Sequence, residues 1–113
     1  MKETITNIIK ELGISANLKG YHYIRFAVEA IIKDASLINS VTKVLYPMIA
    51  KEFNDTPLRV ERTMRHAIEV AFNRADTDLL VKVFGYGYDY SKGRPTNSEF
   101  IFTLADYVMI KSA

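Results

Sequence analysis

Residues 49–66 read IAKEFNDTPLRVERTMRH, the pattern of two helices joined by a tight turn. Ile49, Phe53 and Val60 are apolar where the two helices must pack, and Ala50 is small where they approach closely. Asn54 falls where the turn needs a residue that tolerates positive φ. Thr56 before Pro57 supplies an N-cap followed by a residue already shaped for a first helical turn. Asp55 departs from the pattern, because an apolar residue is usual just after such a turn. The stretch therefore predicts a helix-turn-helix over about residues 47–74, with its second helix spanning about residues 56–74.

Placed at about 100° per residue, that second helix has two opposed faces. Val60, Met64, Ala67 and Ala71 form an apolar stripe, while Leu58, Glu61, Arg62, Arg65, His66 and Glu69 lie opposite. Four of the six arginines of the chain fall between residues 59 and 74. Arginine presents a planar fork of donors that matches the two major-groove acceptors of guanine, and glutamate accepts from the cytosine amino group. Arg62, Arg65 and Glu61 thus suit base reading, and Arg59, near the helix N-terminus, suits a phosphate or the groove edge. A solvated helix with internal ion pairs reads the same residues differently, pairing Glu61 with Arg65 and Arg62 with His66 or Glu69. The use of arginine where lysine is commoner favours the DNA reading.

Working outward, Ile5, Ile8, Ile9 and Leu12 repeat at helical spacing from about Thr4, and Gly13 follows as a C-terminal cap after which Ile14 can fold back on Ile9. Ile24, Ala27, Val28, Ile31 and Ile32 set a second helix from Tyr21 to about Lys33, with Gly20 marking its start. Val41, Val44, Leu45, Ile49, Ala50 and Phe53 continue the helical period, but Pro47 interrupts it, so a short helix should begin near Pro47. Residues 76–84 read as a short helix capped by Gly85, although 80–84 also tolerate a strand. Thr96-Asn97-Ser98-Glu99 is a capping box, and Phe100, Ile101, Leu104, Ala105, Val108 and Met109 carry a final helix. Residues 85–95 hold three glycines and three tyrosines without a period, which predicts a loop packed by its own aromatics. In that loop Tyr86, Tyr88 and Tyr90 could instead stack on single-stranded bases, and Lys92 and Arg94 could touch DNA phosphates.

The chain has 113 residues, which suits one all-α domain around one core with no internal boundary. Its net charge of +2 is too small to demand a polyanionic partner, so the placement of the basic residues has to carry any such case. Without cysteine there is no disulfide, no thiolate metal site and no cysteine nucleophile, which fits a cytoplasmic setting. No run of about 18 apolar residues is present and the N-terminus lacks a signal-peptide block, so neither membrane spanning nor secretion is expected. His22 and His66 are the only histidines, no metal-ligand pair or nucleophile set is recognisable, and neither catalysis nor a cofactor nor a metal is expected. His22 reads as a partly buried helix residue.

Three blocks carry a family likeness. They are Thr42-Lys43-Val44-Leu45-Tyr46-Pro47; Arg59-Val60-Glu61-Arg62 with Arg65-His66-Ala67-Ile68-Glu69-Val70-Ala71; and Pro95-Thr96-Asn97-Ser98-Glu99-Phe100, with Gly20-Tyr21 added to them. In this order, across nearly the whole chain, the sequence resembles the C-terminal effector domain of the sporulation master response regulator of endospore-forming bacteria. The resemblance implies an all-helical domain of about six helices around one core. It implies binding to short DNA boxes with a TGTCGAA-like core, activating or repressing transcription as sporulation begins. It assigns base contacts to Glu61, Arg62 and Arg65, with matching residues at Arg59 and His66, on a recognition helix of residues 56–74. It further implies a contact between residues 74–84 and the RNA polymerase sigma factor, tandem copies on DNA, and a receiver domain in the full-length protein. Nothing in residues 1–113 has the alternating strands and helices of a receiver, so the chain is expected to be the effector alone, with DNA binding indifferent to a phosphodonor. A protein-interaction module whose arginine face docks an acidic partner, without DNA, is the competing class.

Overall fold

A computed structural model describes residues 1–85 and 93–113. Lys2–Glu11 form α1, which buries Ile5, Ile8 and Ile9. Gly13 ends it at φ +87°, the Gly13 amide donating to the Lys10 carbonyl over 2.9 Å and the Ile14 amide to the Ile9 carbonyl over 3.3 Å. This pair of bonds is a Schellman cap, and it seats Ile14 in the core beside Ile9, as the glycine predicted.

Lys19–Lys33 form α2, which starts two residues earlier than the apolar period alone suggests. Gly20 therefore lies inside the helix and is not its start signal. Its role is close packing: a Cβ there would sit 2.5 Å from the Ala67 Cβ and 3.0 Å from the Thr63 carbonyl oxygen. Beyond α2 the Asp34 carboxylate accepts from the Ser36 amide over 3.1 Å and opens a 3₁₀ segment, Ala35–Ser40. A π-helical turn, Val41–Leu45, then runs straight into α3, Tyr46–Phe53. The Tyr46 amide donates to the Val41 carbonyl, five residues back, just before Pro47. Such widening relieves the clash a proline ring makes with the carbonyl one α-turn earlier. The helix expected near Pro47 is present, and the helical stretch before it follows a different winding.

Asn54 closes α3 in the left-handed region, φ 54° and ψ 53°, as its position in the turn predicts. Pro57–Arg74 form α4, Thr77–Phe84 form α5 with Asp76 as N-cap and Gly85 as C-cap, and Asn97–Ser112 form α6. The capping box of Thr96 and Glu99 is complete. Residues 80–84 are helical, so the strand reading does not hold. Among the described residues the fold is thus six α-helices with no strand.

The packing is organised on α2, which touches α1, α3, α4 and α6. Ile24, Ala27 and Val28 of α2 meet a core that includes Ile49, Val60, Met64, Ile68, Phe100, Ile101 and Leu104. Burying each large apolar side chain stabilises the fold by about 1.5–3 kcal/mol, so α4 is held by its inner face and its outer face remains available. Phe72 of α4, Phe84 of α5 and Phe100 of α6 meet as a ring cluster, with centroids 5.2 to 6.4 Å apart.

Candidate nucleic-acid interface

The first turn of α4 is set by its cap. The Thr56 hydroxyl accepts from the Arg59 amide over 3.3 Å, and Pro57 follows where its missing N–H has no intrahelical partner to lose. From there Val60, Met64, Ala67, Ile68 and Ala71 turn inward and are buried. Leu58, Arg59, Arg62, Arg65 and His66 are exposed, and Glu61 and Glu69 are half-buried at the edges of the same face.

Only part of the expected ion-pair pattern forms. Arg65 pairs with Glu61 at 3.3 Å with 56% of its side chain exposed. An exposed pair of this spacing contributes about 0.3–0.5 kcal/mol, too little to lock either group. Glu69 is taken by Arg94 at 3.3 Å, across from α4, and not by Arg62. Among the described residues Arg59, Arg62 and His66 make no ion pair. Arg94 is thus docked on α4, whereas Lys92, Tyr86, Tyr88 and Tyr90 lie outside the described residues.

A cleft of about 620 Å³ separates this face from the start of α6, lined by Thr42, Tyr46, Glu61, Arg65, Arg94 and the residues around Asn97. At its floor the buried Asn97 amide donates to the Tyr46 hydroxyl and to the Glu61 carbonyl oxygen, each over 3.0 Å. Burial pushes the Tyr46 phenol above its ordinary value, so it stays a neutral hydrogen-bonding group. The cleft thus brings Arg65 and the Glu61 carboxylate of α4 beside Arg94 and the first turn of α6.

Asp55, the misfit of the turn, has a structural answer that one-dimensional pattern reading could not supply. Its carboxylate accepts from the Tyr23 hydroxyl over 2.6 Å and from the Thr56 amide over 2.8 Å. The hydrogen bond from Tyr23, then that from Thr56, holds the Asp55 carboxyl below its ordinary value, with Lys19 and Arg59 adding to the effect. Phe53 corrects an expectation: expected among the apolar residues where α3 and α4 pack, it is 39% exposed, its ring 5.1 Å from Tyr23 and 6.0 Å from Phe26 on α2. His22 corrects another, being exposed, with Nε2 3.0 Å from the Ala16 carbonyl oxygen.

In residues 74–84 the apolar side chains serve packing, Leu80 and Val83 being buried and Leu79 and Phe84 half-buried. Arg74, Asp78 and Lys82 face outward. Among the described residues no helix is long and apolar enough to cross a membrane. Residues 5–108 match the family described as Sporulation initiation factor Spo0A C terminal, a span that runs from within α1 to within α6 and includes the whole of α4. The chain therefore belongs to that family, the DNA-binding effector domains of the response-regulator transcription factor that initiates sporulation.

Proposed function

We propose that the domain uses α3, the turn at residues 54–56 and α4 as a helix-turn-helix, and reads duplex DNA by laying the outer face of α4 in the major groove. Glu61, Arg62 and Arg65 meet base edges, while Thr56, Arg59 and His66 hold the groove edge and its phosphates. The observation that carries this reading is the division of α4. Its inner stripe is buried, and Arg59 and Arg62 stand exposed without an ion pair among the described residues. The weak Glu61–Arg65 pair opens readily, freeing a carboxylate for a cytosine amino group and a guanidinium for guanine. A TGTCGAA-like box offers both partners in its CG step.

Arg94, beside the cleft, holds phosphates, and Lys92 shares that role. In the full-length protein an N-terminal receiver domain governs access to this face, and copies of the effector sit side by side on DNA. The polar face of α5, with Arg74, Asp78 and Lys82, meets the RNA polymerase sigma factor. Such a protein works in the cytoplasm, activating or repressing according to promoter.

Selection of preferred duplexes from a random pool tests the reading. It predicts recovery of a motif centred on a CG step. Tight binding to acidic polypeptides with no motif recovered from DNA would place the arginine face with protein-docking modules instead.

A further inference from the structure

We infer that Tyr23 and Asp55 are positioning residues for DNA readout, a buried phenol on α2 holding the turn from which α4 sets out. The inference rests on α4 being the recognition helix. Residues 56–59 are all exposed, and the first buried side chain of α4 is Val60. The leading turn of the helix, which carries Arg59 and precedes Arg62, thus has no apolar anchor of its own. The contacts that seat α4 elsewhere, Gly20 against Ala67 and Asn97 on the Glu61 carbonyl, lie further along it.

What holds the leading turn is a chain of polar contacts. Tyr23 is 2% exposed and donates to Asp55 Oδ2 over 2.6 Å. Asp55 Oδ1 accepts from the Thr56 amide over 2.8 Å, and the Thr56 hydroxyl in turn accepts from the Arg59 amide. The Asp55 amide donates to the Ala50 carbonyl over 2.9 Å and ties the same residue to α3. Asp55 is therefore fixed through both carboxylate oxygens and its backbone: to α2 by Tyr23, to α3 by Ala50, and to the adjacent N-cap residue of α4 by the Thr56 amide. An O–H to carboxylate bond of this length is charge-assisted, about twice as strong as a neutral one and steeply directional. Where a turn of this kind ordinarily uses an apolar plug, this chain uses a directional tether. A recognition element must be held to within about 0.5 Å of its productive pose, a tolerance such a bond supplies and a sliding apolar contact does not.

The test compares Tyr23→Phe, Asp55→Ala, the double variant and Arg62→Ala for binding to a TGTCGAA duplex and to a scrambled duplex, at a temperature where circular dichroism shows each variant folded. Tyr23→Phe keeps the ring and its packing; Asp55→Ala alters a partly exposed side chain, so it serves if the other fails to fold. The expected result is a loss of preference for the box of about tenfold in each single variant, with no further loss in the double. Affinity for the scrambled duplex should stay within about twofold. A merely structural role would lower the melting temperature and leave the preference intact. If Arg62→Ala loses the preference while Tyr23→Phe keeps it, or the two single losses add, the tether is overturned and the reading helix stands. If the unaltered domain shows no preference, or Arg62→Ala retains it, the recognition role of α4 is what fails.

Discussion

The side-chain amide of Asn97, in the first turn of α6, donates to the main-chain carbonyl oxygen of Glu61 in α4 over 3.0 Å. The same amide donates to Tyr46 at the start of α3, so one buried side chain joins three helices beneath the arginine face. Asn97→Ala should lower unfolding free energy by about 1–3 kcal/mol in a urea titration, because buried acceptors lose their donor. Asn97→Asp, which cannot donate when ionised, should be worse at neutral pH than Asn97→Ala.

Gly20 predicts a reversal of sign. A solvent-facing glycine inside a helix gains about 0.5–1 kcal/mol on replacement by alanine. Here the added methyl would lie 2.5 Å from Ala67 and 3.0 Å from a backbone carbonyl, so α2 and α4 must part. Gly20→Ala should destabilise by about 1–3 kcal/mol, and adding Ala67→Gly should recover part of the loss. Thermal melts of the single and double variants check both.

Acid sensitivity follows from two carboxylates. The Glu99 carboxyl is held below its ordinary 4.5 by the Thr96 backbone amide first and its hydroxyl second, and the Asp55 carboxyl below its ordinary 3.8 by the Tyr23 hydroxyl and the Thr56 amide. Folded values depressed in this way give stability that is present above the ordinary values and is lost as the pH falls through the folded ones. Tyr23 behaves oppositely. Burial, then the bond to Asp55 and its charge, push the phenol up to about 12, so its contribution is whole below the ordinary 10.0 and lost as the pH rises through about 12. A series of melts from neutral to acid pH should fall less steeply for Glu99→Gln than for the unaltered chain. Thr96→Ala, which removes the cap, should cost about 1 kcal/mol already at neutral pH.

What could be read from the chain and what could not divides by distance along it. The Thr96–Glu99 capping box, the Gly13 cap, the Asn54 turn and the two faces of α4 depend on neighbours within a turn or two, and each stands where local chemistry puts it. Asp55 reads as a misfit because Tyr23 is 32 residues away. Asn97 reads as filler in a capping box because its partners are 36 and 51 residues away. Phe53 reads as packing within the two-helix unit for the same reason, its ring partners Tyr23 and Phe26 lying far back in the chain on α2. The 3₁₀ and π segments between α2 and α3 escape a 3.6-residue period altogether, since Asp34 starts one and Pro47 shapes the end of the other.

Arg94 and Lys92 are expected to act on phosphates alone. Replacing both with alanine should weaken binding to every duplex alike and flatten the dependence of affinity on salt, read from binding isotherms at several ionic strengths. Loss of the exposed Arg94–Glu69 pair should change stability by less than about 1 kcal/mol. A loss of affinity confined to the TGTCGAA duplex would contradict the phosphate role.

Arg62, exposed and without an ion pair among the described residues, gives the sharpest test of α4 as the reading helix. Competition binding should compare the unaltered domain with Arg62→Ala, using the TGTCGAA duplex and variants of it carrying a changed base pair in the CG step. Arg62→Ala should lower affinity for the intact box by about 1–3 kcal/mol and make the domain indifferent to at least one of those base pairs. Affinity and base preference that both survive the substitution would show that the outer face of α4 does not read DNA.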